Sequence, residues 1–277
     1  MKSHAMFQGG GARVLDMLIT AKALRELHDE EGPIQVLSAS GVSAGAVAAA
    51  ALAFPDTPKD AKHTFDGLLD PKSAFFEYLA RGTAFVTKLK ERQTSDKRLS
   101  YPEMIDLFFK ARRAIDGETL LSAGELEKCL KAVFSGNKIS DCVSPSFSVS
   151  SPDSQAWHDI ELRIYAANLN DAERIRMTDD EEIFRAIRYS AALPFIFSSH
   201  RSQVELDGNE RCWTDGGIVG DLAVRELLAD RNLRNRTKEK ILAITFEPEE
   251  LPTDTAVDYA FSLLDASLAS NKHEMER

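Results

Sequence analysis

Three cysteines, Cys129, Cys142 and Cys212, are too few and too scattered to staple this fold, and none of their spacings is that of a zinc site. The expectation is thiols in a reducing compartment. Also missing is any apolar run long enough to span a membrane, since the longest, Ala44 to Phe54, is short and alanine-rich. The N-terminus Met1-Lys2-Ser3-His4 enters a strand-like stretch and then glycines, which is not the pattern of a signal peptide. A cytoplasmic chain is expected. Delivery into another cell by a secretion machine would leave no such signal and fits the same absence. An excess of positive charge is absent too: at −10 the chain repels nucleic acid, so no nucleic-acid partner is expected. Repeats and low-complexity tracts are likewise lacking.

What is present is the composition of a globular protein, 43% apolar and 28% charged over 277 residues. That suits a single catalytic-sized domain, 1–277, able to bury its own core. Ala5-Met6-Phe7-Gln8 reads as a short strand ending in Gly9-Gly10-Gly11. Between Val14 and Glu30 the residues Leu15, Leu18, Ile19, Leu24 and Leu27 recur at helical spacing, and Gly32-Pro33 stops the helix. Ile34 to Leu37 follows as a strand, then Ser40-Gly41-Val42-Ser43-Ala44-Gly45-Ala46 and an alanine-rich helix. A strand–helix–strand–helix order predicts an α/β fold, a central and mostly parallel sheet flanked by helices.

The stretch 56–145 breaks that rhythm. Helical patterns around 60–69, 73–92, 101–115 and 123–134 predict a mainly α-helical insertion, a lid or cap on the core. Strand character returns at Glu161 to Ala166. Asp179-Asp180-Glu181-Glu182 opens a helix reaching Ser190, and His200 falls in a loop after it. Arg211 to Thr214 leads into Asp215-Gly216-Gly217, residues 221–230 read as a helix, and Ile241 to Phe246 reads as a buried strand from its apolar run. The polar helical pattern 256–277 has little to pack against, which points to a natural chain that continues further.

Chemistry concentrates in two loops. Gly41-Val42-Ser43-Ala44-Gly45 is a G-x-S-x-G placed between a strand and a helix, as a nucleophile elbow requires; the competing reading is a tight turn with a capping serine. The following helix aims its N-terminus, with free N–H groups, at the same place. One strand–helix unit upstream, Gly9-Gly10-Gly11-Ala12-Arg13 offers bare backbone donors suited to the oxyanion of an acyl-transfer intermediate. A dinucleotide fingerprint would need glycine at position 14, which is Val14. A serine hydroxyl needs a base. Of His63, His158, His200 and His273, His200 is the one suited to a triad. Asp215, beside two flexible residues, is the other candidate, although Asp-Gly-Gly taken alone reads as an ordinary turn.

Taken together and in this order, the glycine loop with its basic residue, the serine elbow and Asp215-Gly216-Gly217 resemble the patatin-like phospholipase family. The stretch from Ala186 to Phe197 is similar to the family's segment ahead of the aspartate. The resemblance covers 5–55 and about 160–247. It implies hydrolysis of fatty-acyl esters in phospholipids or related lipids by a Ser–Asp dyad, with no histidine, metal or organic cofactor. Ser43 would be the nucleophile and Asp215 the base. The backbone of Gly10 and Gly11, with Gly9 and Arg13 beside it, would form the oxyanion hole, and Gly41 and Gly45 would shape the elbow. Two positions depart from the family pattern: Val14 replaces a glycine, and Asp221 stands where asparagine is common.

A long-chain ester substrate implies peripheral contact with a membrane. In the insertion, Phe75, Phe76, Tyr78, Phe85, Phe108 and Phe109 interleave with basic residues, and 81–113 carries nine Lys/Arg against four Asp/Glu. The competing reading is an ordinary set of helices with aromatics in the core. Two further activities share the same core: an acyltransferase or thioesterase using Ser43, and a latent lipid-binding module that awaits a protein or signal activator.

Overall fold

The computed structural model describes residues 1–10, 13–29, 33–54, 64–80, 123–134, 137–142, 160–170, 173–192, 200–203, 210–220, 222–229 and 239–246. Readings that fall on Gly11, His63, His158, His273, Asp221, most of the insertion between 81 and 122, and the polar stretch 256–277 lie outside these residues.

Among the described residues seven strands form one sheet. β1 (Lys2–Phe7), β2 (Gln35–Val42), β3 (Glu161–Asn168) and β7 (Lys240–Ile244) run parallel in the order β7-β1-β2-β3. β4 (Glu173–Arg176) and β6 (Glu210–Thr214) pair antiparallel with β3, and β5 (His200–Gln203) pairs antiparallel with β6. Helices α1 (Val14–Asp29) and α2 (Ala44–Ala53) connect the first parallel strands, and α3 (Thr64–Leu69), α4 (Ala123–Phe134), α5 (Ile183–Ser190) and α6 (Val224–Ala229) follow in chain order. This is the α/β architecture expected, a mostly parallel central sheet flanked by helices.

The alanine run is a core helix. All ten residues of α2 are buried, and an apolar helix without a polar face belongs inside. Alanine gives it a thin cylinder, so the sheet, α1 and α5 approach closely. Among the described residues no helix is long and apolar enough to cross a membrane. Around α2 the core gathers Phe7, Met17, Leu18, Leu52, Ile164, Phe184 and Ile187. Phe75 and Tyr78 also belong to it, with relative exposures of 2% and 1%. Those two aromatics of the insertion are therefore core residues, as the competing reading had it, and they do not face lipid.

Other readings needed correction. β7 is not a buried strand: Lys240, Ile241 and Ala243 are exposed and Leu242 and Ile244 half-buried. Among the described residues it ends the strand order and pairs with β1 alone, and an apolar run does not by itself distinguish a central strand from an edge. His200 opens β5 opposite Trp213 instead of lying in a loop. β4 and β5 are four-residue strands too short to show alternation. Cys129 and Cys142 are buried and Cys212 half-buried, with no disulfide among them. Burial pushes the Cys142 thiol up to about 12; the Asp141 charge adds to the rise and Arg25 opposes it.

Candidate active site

Parallel pairing brings the two loops to one edge. Phe7 at the end of β1 lies in register with Gly41 of β2, so Gly9 and Ser43, each two residues further, meet beyond the strand ends. A Cβ on Gly9 would sit 3.4 Å from the Ser43 Cβ, in van der Waals contact. Register with β3 sets Tyr165 opposite Val42.

Ser43 occupies the corner between β2 and α2 with φ 54° and ψ −126°. Among the described residues it is the one non-glycine with positive φ. Such a conformation costs on the order of 1–3 kcal/mol and persists only where its surroundings hold it. Although Ser43 stands at the N-cap position, its side chain makes no capping bond. Instead Ser43 Oγ donates to Asp215 Oδ2 at 2.5 Å, across 172 residues of sequence. The corner is possible because both elbow glycines lack a side chain. A Cβ on Gly41 would lie 2.2 Å from the Gly45 carbonyl oxygen, and one on Gly45 would lie 2.5 Å from the carbonyl oxygens of both Phe7 and Gln8. Gly45→Ala is therefore expected to destabilise the fold by about 1–3 kcal/mol through overpacking and to displace the elbow. Urea unfolding checks this, and a variant as stable as the parent would show that the backbones do not meet there.

Asp215 follows β6 and is 2% exposed, while Ser43 is half-buried. The carboxylate is thus the more deeply buried partner of the pair. Asp215 Oδ1 accepts from the Gly217 amide at 2.7 Å, and the Asp215 amide donates to the Ala192 carbonyl at 3.0 Å. Thr214 Oγ1 donates to that same carbonyl at 3.0 Å, and Trp213 stacks on Tyr189 with centroids 6.0 Å apart. Gly216 is required by the approach of β3, since a Cβ there would meet the Tyr165 carbonyl oxygen at 2.4 Å.

The glycine loop is tied to β7. Gln8 donates its backbone N–H to the Ile244 carbonyl at 3.1 Å, and its side-chain Oε1 accepts from the Phe246 amide at 3.1 Å. The Phe246 ring lies so near Gly10 that a Cβ would come within 3.1 Å of it. Arg13 places its guanidinium 5.0 Å from the centroid of the same ring, a cation–π distance. Arg13 thus braces the loop, and its amide donates to the Gly10 carbonyl at 2.9 Å. α2 begins directly after Ser43, which stands at its N-cap, so the N-terminus of that helix is directed at the serine.

The structure accordingly brings together Gly9, Gly10, Gly41, Ser43, Gly45 and Asp215, with Arg13 at the side; Gly11 lies outside the described residues. Three contributors were given no role from the sequence: Ser190, whose hydroxyl accepts from the Ser43 amide at 2.8 Å, Gln8 and Phe246. Ser190 lies in the stretch Ala186 to Phe197 that carries the family resemblance, and Gln8 and Phe246 end strand patterns, but no spacing marks any of the three as a neighbour of Ser43. Among the described residues, no cluster of three or more His, Cys, Asp or Glu is placed to hold a metal ion.

The chain thus assembles a strained serine at a strand–helix corner, bonded to a buried aspartate and flanked by a glycine loop. The family profile described as patatin-like phospholipase matches residues 5–228, and the chain belongs to that family. Among solved structures, VipD from Legionella pneumophila is similar at 20% identity with a TM-score of 0.45, over 95% of this chain and 53% of that one. ExoU, in its heterodimeric complex with SpcU from the type III secretion system of Pseudomonas aeruginosa, is similar at 15% identity with a TM-score of 0.32, over 97% of this chain and 50% of that one. The chain thus spans about half the length of each. No curated protein matches it significantly.

Proposed function

We propose that the chain hydrolyses fatty-acyl esters of phospholipids or related lipids through an acyl-enzyme on Ser43, with Asp215 as the base. The observation that carries this is the 2.5 Å bond from Ser43 Oγ to Asp215 Oδ2 at a corner of positive φ. As Oγ attacks the ester carbonyl carbon, its proton passes to Asp215. The carbonyl oxygen becomes an oxyanion held by backbone N–H groups of the Gly9-Gly10-Gly11 loop, with Arg13 bracing it, and by the positive end of α2. Collapse breaks the ester C–O bond, and the departing alcohol takes the proton from Asp215. A water molecule then gives a proton to Asp215 and attacks the acyl-serine, and release of the fatty acid returns the proton to Ser43.

A fluorophosphonate probe tests the reading directly, because its phosphorus is attacked by an activated serine. Labelling is expected at Ser43, with membranes and cell lysate supplied so that a latent enzyme also responds. No adduct on Ser43 under any of these conditions would refute it. Offering several acceptor alcohols alongside water to one acyl donor distinguishes hydrolysis from acyl transfer.

The insertion 56–145 serves in this proposal as a cap meeting the membrane through the basic stretch 81–113. Each basic residue near an anionic surface contributes about 1 kcal/mol. Reversing the charges of Lys88, Lys90 and Arg92 is expected to weaken flotation with anionic vesicles by more than about a hundredfold. Equal flotation of the parent and the charge-reversed protein would remove the membrane role.

A further inference from the structure

The end of α5 touches both halves of the Ser43–Asp215 pair. Ser190, its last residue, is fully buried. Its Oγ accepts from the Ser43 amide at 2.8 Å and donates to the Tyr165 carbonyl at 2.6 Å. Two residues on, the Ala192 carbonyl accepts from the Asp215 amide. The Tyr165 carbonyl is also the atom against which Gly216 packs. One short segment, 190–192, therefore holds the amide of the serine and the amide of the aspartate, and braces both on β3.

We propose that Ser190 is a positioning residue: its hydroxyl bridge locks the strained Ser43 backbone so that Oγ stays within reach of Asp215. This inference rests on Ser43 and Asp215 acting as proposed above. The bridge has a chemical corollary. With the Ser43 N–H committed to Ser190, that amide does not serve the oxyanion, which leaves the glycine loop and the first turn of α2 to supply donors. A hydroxyl is needed because the position must accept from an N–H and donate to a C=O at once. Alanine does neither and would leave both backbone groups buried without this partner.

The test uses the full chain with a p-nitrophenyl ester as substrate. Ser190→Ala is expected to lower kcat roughly a hundredfold with KM changed by less than about twofold, the signature of a misplaced reacting group. Ser190→Thr and Ser190→Val have matched volume and differ in the hydroxyl, so they separate the bridge from packing even if the alanine variant does not fold. Thr is expected to exceed Val in kcat by at least about tenfold. Equal rates for Thr and Val, or wild-type kcat in a folded Ser190→Ala, would overturn the proposal. Amide hydrogen exchange at Ser43 gives a readout independent of turnover. Exchange is expected to accelerate in Ser190→Ala and in Ser190→Val relative to Ser190→Thr, and unchanged protection in both would also overturn the bridge. Should the wild type neither hydrolyse esters nor be labelled while that exchange accelerates, the proposed activity falls and the bridge stands.

Discussion

Ser43→Ala is expected to reduce ester hydrolysis by about 10⁴- to 10⁶-fold, the range lost when a covalent nucleophile is removed from a site whose other parts remain. The variant deletes one oxygen. It keeps the Cβ, so the positive φ of residue 43 costs about what it did before, and the amide can still donate to Ser190. Asp215 loses the bond at Oδ2 but keeps the Gly217 amide on Oδ1. Folding stability is therefore expected to change by no more than about 1.5–3 kcal/mol, the contribution of one hydrogen bond to a charged group. Lipid mass spectrometry of a mixed membrane extract treated with each protein measures the loss and identifies the lipids consumed. Hydrolysis persisting in folded Ser43→Ala would assign the chemistry to another group.

The second large effect concerns the base. Asp215→Asn preserves shape and most packing, and its orientation is dictated by a neighbour. The Gly217 amide needs an acceptor, which places the amide oxygen where Oδ1 now stands and the NH₂ toward Ser43 Oγ. An NH₂ group donates and cannot take the serine proton. A loss of roughly 10³- to 10⁴-fold in kcat is expected, with KM little changed. His200→Ala is the matched control. Its backbone opens β5 opposite Trp213, and hydrolysis near the wild-type rate is expected. A collapse equal to that of Ser43→Ala would replace the dyad by a triad. Steady-state kinetics on one soluble ester, run for all three variants, separates these outcomes.

Much of the fold was legible because its signals are local. Helical spacing between Val14 and Glu30 marked α1, observed as Val14–Asp29. The glycines flanking Ser43 marked a strand-to-helix corner, and the corner exists because each meets backbone where a side chain would collide. The place of β7 at the end of the described strands was illegible for an equally physical reason. Ile241 to Ile244 is apolar, but its exposure depends on what lies alongside it in the sheet, and nothing within the segment records that. For Phe75 and Tyr78 the sequence left two readings, a lipid-facing surface or ordinary core aromatics, and packing against the core decided for the second.

By itself, the sequence determined which backbone shapes are possible: glycine where chains must touch, a serine at the turn between β2 and α2, and an alanine helix thin enough to sit inside. These are short-range steric requirements, carried by a few consecutive residues. Tertiary structure alone decided which groups meet at the serine. Asp215 reaches Ser43 Oγ across 172 positions and Ser190 reaches the Ser43 amide across 147, while Phe246 covers the glycine loop from β7. Such contacts are set by strand register and by the end of α5, where buried polar groups must find partners, and no spacing along the chain encodes them.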